Sequence, residues 1–273
     1  MVRVAAALRR RGLRVGFVPT MGALHEGHRA LIRAAARETH VAIVSIFVNP
    51  LQFGPREDYR RYPRTLRQDL RLARKAGASV VFVPSVRQMD ATGQTTYVEV
   101  HGLSEPWEGT SRPGHFRGVA TIVTKLFHLV QPTVAYFGLK DYQQALVVQR
   151  LVRDLGLPVE IRTRPTVREP DGLAMSSRNR SLSRRERQQA IVLFHALRAG
   201  QTRIRSGERD ASRILARMRR IIRQTPGVRV DYLAIVDRQT LQPRRRLAGR
   251  LVILGAVWVG PTRLIDNVLV AVR

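Results

Sequence analysis

Two histidines three residues apart follow the first apolar run of the chain. His25 and His28 belong to the stretch PTMGALHEGH at residues 19–28, which contains two glycines. Glycines permit tight turns, and the first turn of a helix exposes backbone N–H groups that bind anions. Two imidazoles at this spacing face the same way on a helical turn. They could donate hydrogen bonds to phosphate and stabilise the charge that develops on a leaving pyrophosphate.

The same pair of histidines has other interpretations. The spacing in HEGH is one residue short of the HExxH pattern, which excludes the zinc proteases of that class. A two-histidine metal pair and a simple helix cap both remain open. The position of the pair, after a strand and within a glycine-containing loop, favours phosphate.

Uncharged amides mark the end of the second apolar run. Asn49 and Gln52 lie in SIFVNPLQFG at residues 45–54. Amide side chains suit hydrogen bonding to the hydroxyl and carbonyl groups of a small polar ligand. An ordinary Asn-Pro turn is the alternative, and the local pattern does not decide between the two. The polar residues 55–59 that come next predict a mobile lid.

Cationic and hydroxyl side chains occupy later loops that precede helices. The loop at residues 105–118 contains arginines and a histidine that could meet an anionic substrate. Lys140 stands at a predicted helix start, where a cation opposes the helix dipole and so favours an anionic partner; a salt bridge to Asp141 is the alternative. Arg178 lies in DGLAMSSRN at residues 171–179, where two hydroxyls and a guanidinium suit a triphosphate. An ordinary helix cap would use the same residues.

The elements that must position these residues alternate along the first 165 residues. Apolar runs predict strands at residues 15–19, 41–48, 80–83, 134–137 and 159–163. Amphipathic segments predict helices at residues 27–38, 65–76, 118–129 and 141–155. Strands that are apolar throughout and separated by helices predict a parallel sheet covered on both faces. The pattern indicates a doubly wound α/β domain, whose ligands bind at the carboxyl ends of the strands.

The pattern changes after residue 167. Arginine-rich helices are predicted at residues 183–199 and 211–224, and strands at residues 228–236, 251–259 and near the C-terminus. Helices followed by strands predict a smaller, separate α+β domain. We therefore expect one domain at residues 1–167 and a second at residues 168–273.

Composition narrows the class of protein further. Hydrophobic residues make up 44% of the 273 residues, which is enough for a packed core and disfavours disorder. The absence of cysteine excludes disulfides, thiolate metal sites and a cysteine nucleophile. No apolar run reaches the roughly 18 residues of a membrane span, so we expect a cytoplasmic protein with no membrane partner.

The charge balance is strongly basic. The net charge is +28, and only three of the 48 cationic residues are lysines. A dedicated nucleic-acid function is one interpretation. However, the arginines are spread over the whole chain, and their small clusters lack the interleaved aromatic residues of a stacking platform. We therefore expect solvated surface charge that binds polyanions weakly, and no specific nucleic-acid partner.

Seven blocks of sequence together resemble one known family. They are PTMGALHEGH, VSIFVNPLQFGP, YPRTL, SRPGHFRGV, FGLKDYQQ, VREPDGLAMSSRN and TRLIDN, and they occur in family order between residues 15 and 267. On these blocks the chain resembles the pantothenate synthetase (pantoate–β-alanine ligase) family. The resemblance implies a Rossmann-like domain of the nucleotidyltransferase type, a smaller C-terminal lid domain and a homodimer. It also implies that pantoate and ATP, with Mg²⁺, give pantoyl adenylate and pyrophosphate. β-Alanine then attacks the adenylate, which yields pantothenate and AMP.

The resemblance further implies roles for individual residues. His28 would be the general acid, and the implied catalytic set is His25, His28, Lys140 and Arg178. The implied ATP site comprises Met21, Gly22, Ala23, Leu24, His25, Glu26, Gly27, His28, Gly138, Leu139, Lys140, Asp141, Val167, Met175, Ser176, Ser177 and Arg178. No protein ligand of the metal is predicted.

The substrate residues come from the same resemblance. Gln52 and Gln144 would bind pantoate, and Gln52 would also reach β-alanine. Asn49 and Arg112 are further candidates. These two glutamines separate a pantoate ligase from other adenylyl- or nucleotidyl-transferring enzymes on the same scaffold.

The chain departs from the family pattern in three respects. Leu139 stands where an acidic or amide residue is expected, and Trp258 where a basic or small residue is expected. The charge of +28 is also more basic than the family pattern implies. None of these departures removes an implied catalytic residue.

Overall fold

The chain forms two compact units in a computed structural model that describes residues 1–54, 59–89 and 94–272. The units are Met1–Pro165 and Thr166–Arg273. Apart from Tyr59, the segment predicted as a lid at residues 55–59 lies outside the described residues. Within the described part of the chain, no helix is long and apolar enough to cross a membrane.

A five-stranded parallel sheet forms the centre of the N-terminal unit. Its strands are β1 (Val15–Thr20), β2 (Val41–Ile46), β3 (Val80–Phe82), β4 (Val134–Gly138) and β5 (Glu160–Arg164). They lie in the order β3-β2-β1-β4-β5, and every neighbouring pair is parallel. The chain therefore reverses its winding direction between β1 and β4, which is where doubly wound sheets bind ligands. The predicted parallel sheet is confirmed.

Helices cover both faces of this sheet. They are α1 (Val2–Arg10), α2 (Glu26–Glu38), α3 (Leu66–Lys75), α4 (Val86–Met89), α5 (Glu108–Ser111), α6 (His115–Val130) and α7 (Tyr142–Asp154). Successive strand residues enter opposite cores: Phe17 and Ile43 pack in one, Val18 and Val44 in the other. Because side chains alternate along a strand, two buried faces require strands that are apolar throughout. Helix α1, which the sequence analysis did not predict, buries Ala5.

The C-terminal unit is an antiparallel sheet with helices. Strands β6 (Val228–Asp237), β7 (Arg250–Val259) and β8 (Thr262–Ala271) lie in the order β6-β7-β8. The helices are α8 (Arg184–Ala190), α9 (Val192–Arg205) and α10 (Ala211–Arg223). The predicted α+β arrangement is confirmed. The helix predicted at residues 183–199 is divided at Ile191, whose φ of −63° and ψ of −25° keep the two helices nearly continuous.

Candidate active site

The predicted polar residues of the N-terminal unit come after three adjacent strands. Strand β1 ends directly before residues 21–28, β2 ends before Asn49 and Gln52, and β4 ends before Lys140. Since β1 lies between β2 and β4, the three segments leave the same edge of the sheet side by side. Polar loops at the carboxyl ends of strands, next to the reversal of winding, are typical of nucleotide-binding α/β enzymes.

His25 and His28 cap the start of helix α2. Nδ1 of His25 accepts a hydrogen bond from the backbone N–H of Gly27 at 3.2 Å. Nδ1 of His28 accepts from the backbone N–H of His25 at 3.3 Å, and the two ring centroids are 4.1 Å apart. A neutral imidazole with an accepting Nδ1 carries its proton on Nε2. The cap therefore selects the tautomer that presents an Nε2–H donor, so capping and phosphate binding are compatible roles.

Backbone N–H groups in the loop before α2 are already hydrogen-bonded within the protein. The N–H of Gly22 donates to Oγ1 of Thr20 at 3.2 Å. The N–H groups of Ala23 and Leu24 donate to the carboxylate of Asp69 at 3.0 and 2.8 Å. These three N–H groups, which precede the first turn of α2, are therefore engaged within the protein in this conformation.

Asp69 holds the loop before α2, and the sequence analysis did not identify it. It lies on α3, and only 1% of its surface is exposed. The sequence does contain a signal for its burial, because Asp69 lies on the same helical face as the buried Ala73 and Ala76. An acidic residue at an apolar position of an amphipathic helix indicates a buried carboxylate with specific partners.

Contacts from three segments hold Gln52. Its Nε2 lies 2.9 Å from Sδ of Met21, and its Oε1 accepts from Nδ2 of Asn49 at 3.1 Å. Its backbone carbonyl accepts from Nδ1 of His115 at 2.9 Å and from Nη2 of Arg112 at 3.4 Å. A carbonyl only accepts, so His115 donates through Nδ1, and its Nε2 can accept from Nη1 of Arg112 at 3.0 Å. The loop before α6 thus supports the backbone of Gln52.

Asn49 connects the turn after β2 to helix α6. Its Oδ1 accepts from the backbone N–H of Leu51 at 3.1 Å and caps the short 3-10 helix Pro50–Gln52. Its Nδ2 also donates to the backbone carbonyl of Gly118 at 3.1 Å. A Cβ on Gly118 would lie 2.2 Å from the carbonyl oxygen of Leu51, so this close approach requires glycine. The Asn-Pro turn therefore exists, and Asn49 orients the amide of Gln52 as part of it.

Two consecutive glutamines on α7 occupy different environments. Gln143 is buried; its Oε1 accepts from the N–H of Glu108, and its Nε2 donates to the carbonyls of Leu103 and Pro106 at 2.8 Å. Gln144, predicted to bind pantoate, is half-buried. Gln143 therefore fixes the loop before α6, a role that the sequence analysis did not assign.

Lys140 lies in the 3-10 helix Leu139–Asp141, directly after Gly138. Its Nζ is 3.2 Å from Oδ1 of Asp141, and 17% of the lysine side chain is exposed. The salt bridge weighed as the alternative is therefore present. A carboxylate that is 47% exposed contributes little in such a pair, so the contact does not exclude phosphate binding.

A hairpin in the C-terminal unit brings Val167 beside Met175. The N–H of Met175 donates to the carbonyl of Val167 at 3.0 Å, and Arg168 pairs with Ala174 in an antiparallel bridge. Ser176 then caps the 3-10 helix Ser177–Ser181 by accepting from the N–H of Arg178 at 3.3 Å. The cap weighed as an alternative is therefore realised. Residues 175–178 are all half-buried.

One ion pair fastens this hairpin to strand β8. Nη1 and Nη2 of Arg168 lie 2.7 and 2.9 Å from the two carboxylate oxygens of Asp266. Arg168 also donates to the carbonyls of Gly172 and Asn267 at 3.0 and 3.2 Å. Bidentate pairs of this kind combine strength with fixed geometry. The pair joins two of the sequence blocks, VREPDGLAMSSRN and TRLIDN.

The whole chain matches one protein family. The family model described as pantoate–β-alanine ligase matches residues 1–269. The pantothenate synthetase of Moorella thermoacetica is 56% identical over 268 residues, covering 98% of this chain and 95% of that protein. The pantothenate synthetase of Thermotoga petrophila is 50% identical over 267 residues, with coverages of 98% and 95%. The chain belongs to the pantoate–β-alanine ligase family, and the resemblance seen in the sequence is confirmed.

The chain is also similar in structure to solved members of this family. The crystal structure of pantothenate synthetase from Thermus thermophilus superposes with a TM-score of 0.92 at 50% identity, covering 97% of this chain and 96% of that one. Pantoate–β-alanine ligase from Francisella tularensis, complexed with β-γ ATP and β-alanine, gives a TM-score of 0.80 at 34% identity. Its match covers 98% of this chain and 95% of that one.

Proposed function

We propose that this chain condenses pantoate with β-alanine to pantothenate, using ATP and releasing AMP and pyrophosphate. Family membership supports the reaction, and one contact carries the proposal at the level of residues. Nε2 of Gln52, proposed to bind pantoate and β-alanine, lies 2.9 Å from Sδ of Met21 in the loop proposed to bind ATP. The residue proposed to bind pantoate and β-alanine is therefore adjacent to a residue proposed to bind ATP.

In the first step a carboxylate oxygen of pantoate attacks the α-phosphorus of ATP. The new P–O bond forms as the bond to the bridging oxygen breaks, and pyrophosphate leaves with the electron pair. Both reactants are anions, so the cations Lys140 and Arg178 would reduce their repulsion. His25 and His28 would donate through Nε2–H to the leaving pyrophosphate, with His28 as the general acid.

In the second step the amine of β-alanine attacks the carbonyl carbon of the adenylate. The amide C–N bond forms, the C–O bond to AMP breaks, and the amine loses a proton. Gln52 would bind both pantoate and β-alanine, and Gln144 would bind pantoate; Asn49 and Arg112 support Gln52 through its amide and its carbonyl. No covalent enzyme intermediate is required, which agrees with a chain that contains no cysteine.

ATP contacts are proposed within each of the two compact units, and the support for each set comes from its own unit. The proposed contacts are residues 21–28, 138–141 and 175–178, together with Val167. Their support is the adjacency of the ends of β1 and β4 in one unit and the Val167–Met175 hairpin in the other. The N-terminal domain, residues 1–167, would bind the nucleotide and pantoate, and residues 168–273 would serve as a lid.

Mg²⁺ is proposed to enter with ATP. Among the described residues, no cluster of three or more histidine, cysteine, aspartate or glutamate side chains could hold a metal ion. We therefore propose that phosphate oxygens and water provide most of the ligands of the ion, which is how Mg²⁺ usually binds beside nucleotides. When bound, the ion would neutralise charge on the triphosphate.

The proposal has two further features, of which the first rests on the family resemblance. We propose a homodimer, which sedimentation equilibrium at several concentrations would test against a monomer. We also propose a cytoplasmic enzyme, since that compartment supplies ATP.

A product balance tests the proposed reaction. Purified protein with pantoate, β-alanine, ATP and Mg²⁺ should form pantothenate, AMP and pyrophosphate in equal amounts. Omission of pantoate should abolish AMP formation. Release of ADP and phosphate in place of AMP and pyrophosphate would contradict adenylate formation.

A further inference from the structure

A buried carboxylate, that of Asp69, accepts hydrogen bonds from the backbone of the loop at residues 22–24, directly before His25. Asp69 is 1% exposed. Its Oδ2 accepts from the N–H of Ala23 at 3.0 Å, and its Oδ1 accepts from the N–H of Leu24 at 2.8 Å. Oγ1 of Thr65 lies 3.2 Å from both carboxylate oxygens. These neutral donors satisfy both oxygens of a carboxylate that is removed from water.

The loop that Asp69 holds has an unusual backbone conformation. Gly22 and Ala23 both have positive φ values, 82° and 51°. Alanine in this region costs roughly 1–2 kcal/mol, so the surrounding structure must impose the conformation. Successive N–H groups beside a left-handed residue form a concave site that binds anions in phosphate loops. Here the carboxylate of Asp69 occupies that position.

The conformation of this loop determines where the two histidines lie. Leu24 immediately precedes His25, whose Nδ1 accepts from Gly27 and whose N–H donates to Nδ1 of His28. A change of backbone direction at Ala23 and Leu24 would therefore move the cap and both rings. The tautomers that the cap selects would be lost with it.

We infer that Asp69 is a positioning residue: its carboxylate fixes the loop at residues 22–24, so that His25 and His28 present their Nε2–H groups to the reacting phosphates. Asp69 is buried behind the loop and acts through the histidines. The catalytic consequence rests on the proposed ligase function, whereas the effect on the two rings does not.

Asp69→Asn is the direct test, with Tyr136→Phe as a matched control. Asparagine keeps the shape, but turns an N–H donor towards a backbone N–H that needs an acceptor. Tyr136 is fully buried in the same core as α2 and donates to the half-buried Glu38 at 3.1 Å, so Tyr136→Phe also removes one hydrogen bond of a buried side chain. Melting curves would establish that both variants are folded.

Two readouts separate positioning from a general loss of stability. Long-range ¹H–¹⁵N spectra report histidine tautomers, and wild type and Tyr136→Phe should show His25 and His28 with Nε2–H. Asp69→Asn should lose that pattern in at least one ring. In pantoate-dependent pyrophosphate exchange, Asp69→Asn should lower kcat at least ~10-fold with KM for pantoate little changed, as misplaced catalytic groups do.

The outcomes are distinguishable. A folded Asp69→Asn protein with wild-type tautomers and kcat within about twofold of wild type would overturn the positioning role. A wild-type protein without exchange activity would instead overturn the proposed function, while the spectra still decide the role of Asp69. If Asp69→Asn does not fold, Thr65→Val removes only the hydroxyl donor to Asp69. It should lower kcat by a smaller factor with KM unchanged, and an unchanged kcat would overturn the inference.

Discussion

The amide Nε2 of Gln52 lies 2.9 Å from Sδ of Met21, so the loops after β1 and β2 are in direct contact. The amide orientation is fixed at both ends, because Oε1 accepts from Asn49 while Nε2 faces the sulfur acceptor. A substrate carboxylate or hydroxyl bound at Gln52 would therefore lie beside the loop proposed to bind ATP.

Loss of Gln52 or Gln144, both proposed to bind pantoate, should weaken the use of pantoate more than that of ATP. Gln52→Ala and Gln144→Ala each remove hydrogen bonds worth about 1 kcal/mol, so KM for pantoate should rise roughly fivefold or more. KM for ATP should change less in both variants. Gln149→Ala, at an exposed position on the same helix as Gln144, is the control. Equal losses for ATP and pantoate in both variants would remove these glutamines from the pantoate site.

Replacement of His28 should slow adenylate formation. His28→Ala removes the proposed donor to the leaving pyrophosphate and should reduce the rate ~10²-fold or more. Because the ring also accepts from the N–H of His25, a capping loss of about 1 kcal/mol should accompany it. His128→Ala, an exposed position on α6, is the control for loss of an imidazole. A lowered melting temperature with an unchanged exchange rate would leave His28 only its capping role.

The ion pair between Arg168 and Asp266 should contribute strongly to stability. The side chain of Asp266 is 4% exposed, so Asp266→Ala leaves a cation unpaired in a largely buried site and should cost about 3 kcal/mol. Arg150→Ala breaks an exposed pair with Asp154 and should cost less than about 1 kcal/mol. Chemical denaturation of both variants measures the difference. Similar decreases in the free energy of unfolding of the two variants would show that burial does not make the Arg168–Asp266 pair more stabilising than an exposed pair.

Acid should destabilise the protein. The Arg187 guanidinium that donates to Asp171 lowers the pKa of that carboxyl, and the N–H groups of Gln239 and Thr240 lower the pKa of Asp237. The pKa is also lowered for Glu38, Glu160, Glu186, Glu208 and Asp210. A carboxyl with a lower pKa in the folded state binds protons more readily when unfolded, so its stabilising effect is lost as pH falls.

This loss should begin near the pKa of the unfolded groups, about 4, and continue below it. The free energy of unfolding, measured by denaturant titration, should be lower at about pH 3.5 than at about pH 6. Asp237→Asn should reduce the difference. A free energy that is constant or rises over this interval would contradict the pKa directions.

The arginine excess should produce weak polyanion binding that depends on salt. On α10, Arg213, Arg217, Arg219, Arg220 and Arg223 are exposed, whereas Ile214, Met218 and Ile222 are buried. The predicted solvated face is therefore present on this helix. Filter binding of unrelated duplexes should show no sequence preference and a steep fall in affinity with salt. Tight, sequence-dependent binding at about 0.15 M salt would favour a dedicated nucleic-acid function.

The sequence was sufficient to predict both sheets and most of the long helices, although not α1, because the signals for these elements were local. Phe17 and Val18 enter opposite cores, as expected for an apolar run that forms a strand buried on both faces. The polar residues after β1, β2 and β4 could be assigned to one edge because parallel strands share it.

The sequence did not reveal which side chains accept hydrogen bonds from the backbone N–H groups of the loop before α2. Asp69 contacts Leu24 across 45 residues of chain, and no local pattern predicts that pairing. The same limit applies to Gln143, whose contacts with Leu103 and Pro106 depend on how the loop before α6 folds back. The motifs singled out candidate residues, but the donor and acceptor of each hydrogen bond could be assigned only from the three-dimensional arrangement.

Isotope exchange between pyrophosphate and ATP tests the central claim most directly. The adenylate mechanism places the first step before any contact with the amine, so exchange should require pantoate and proceed without β-alanine. A control without pantoate should show none. Exchange that appears only when β-alanine is present, or that proceeds without pantoate, would contradict the account.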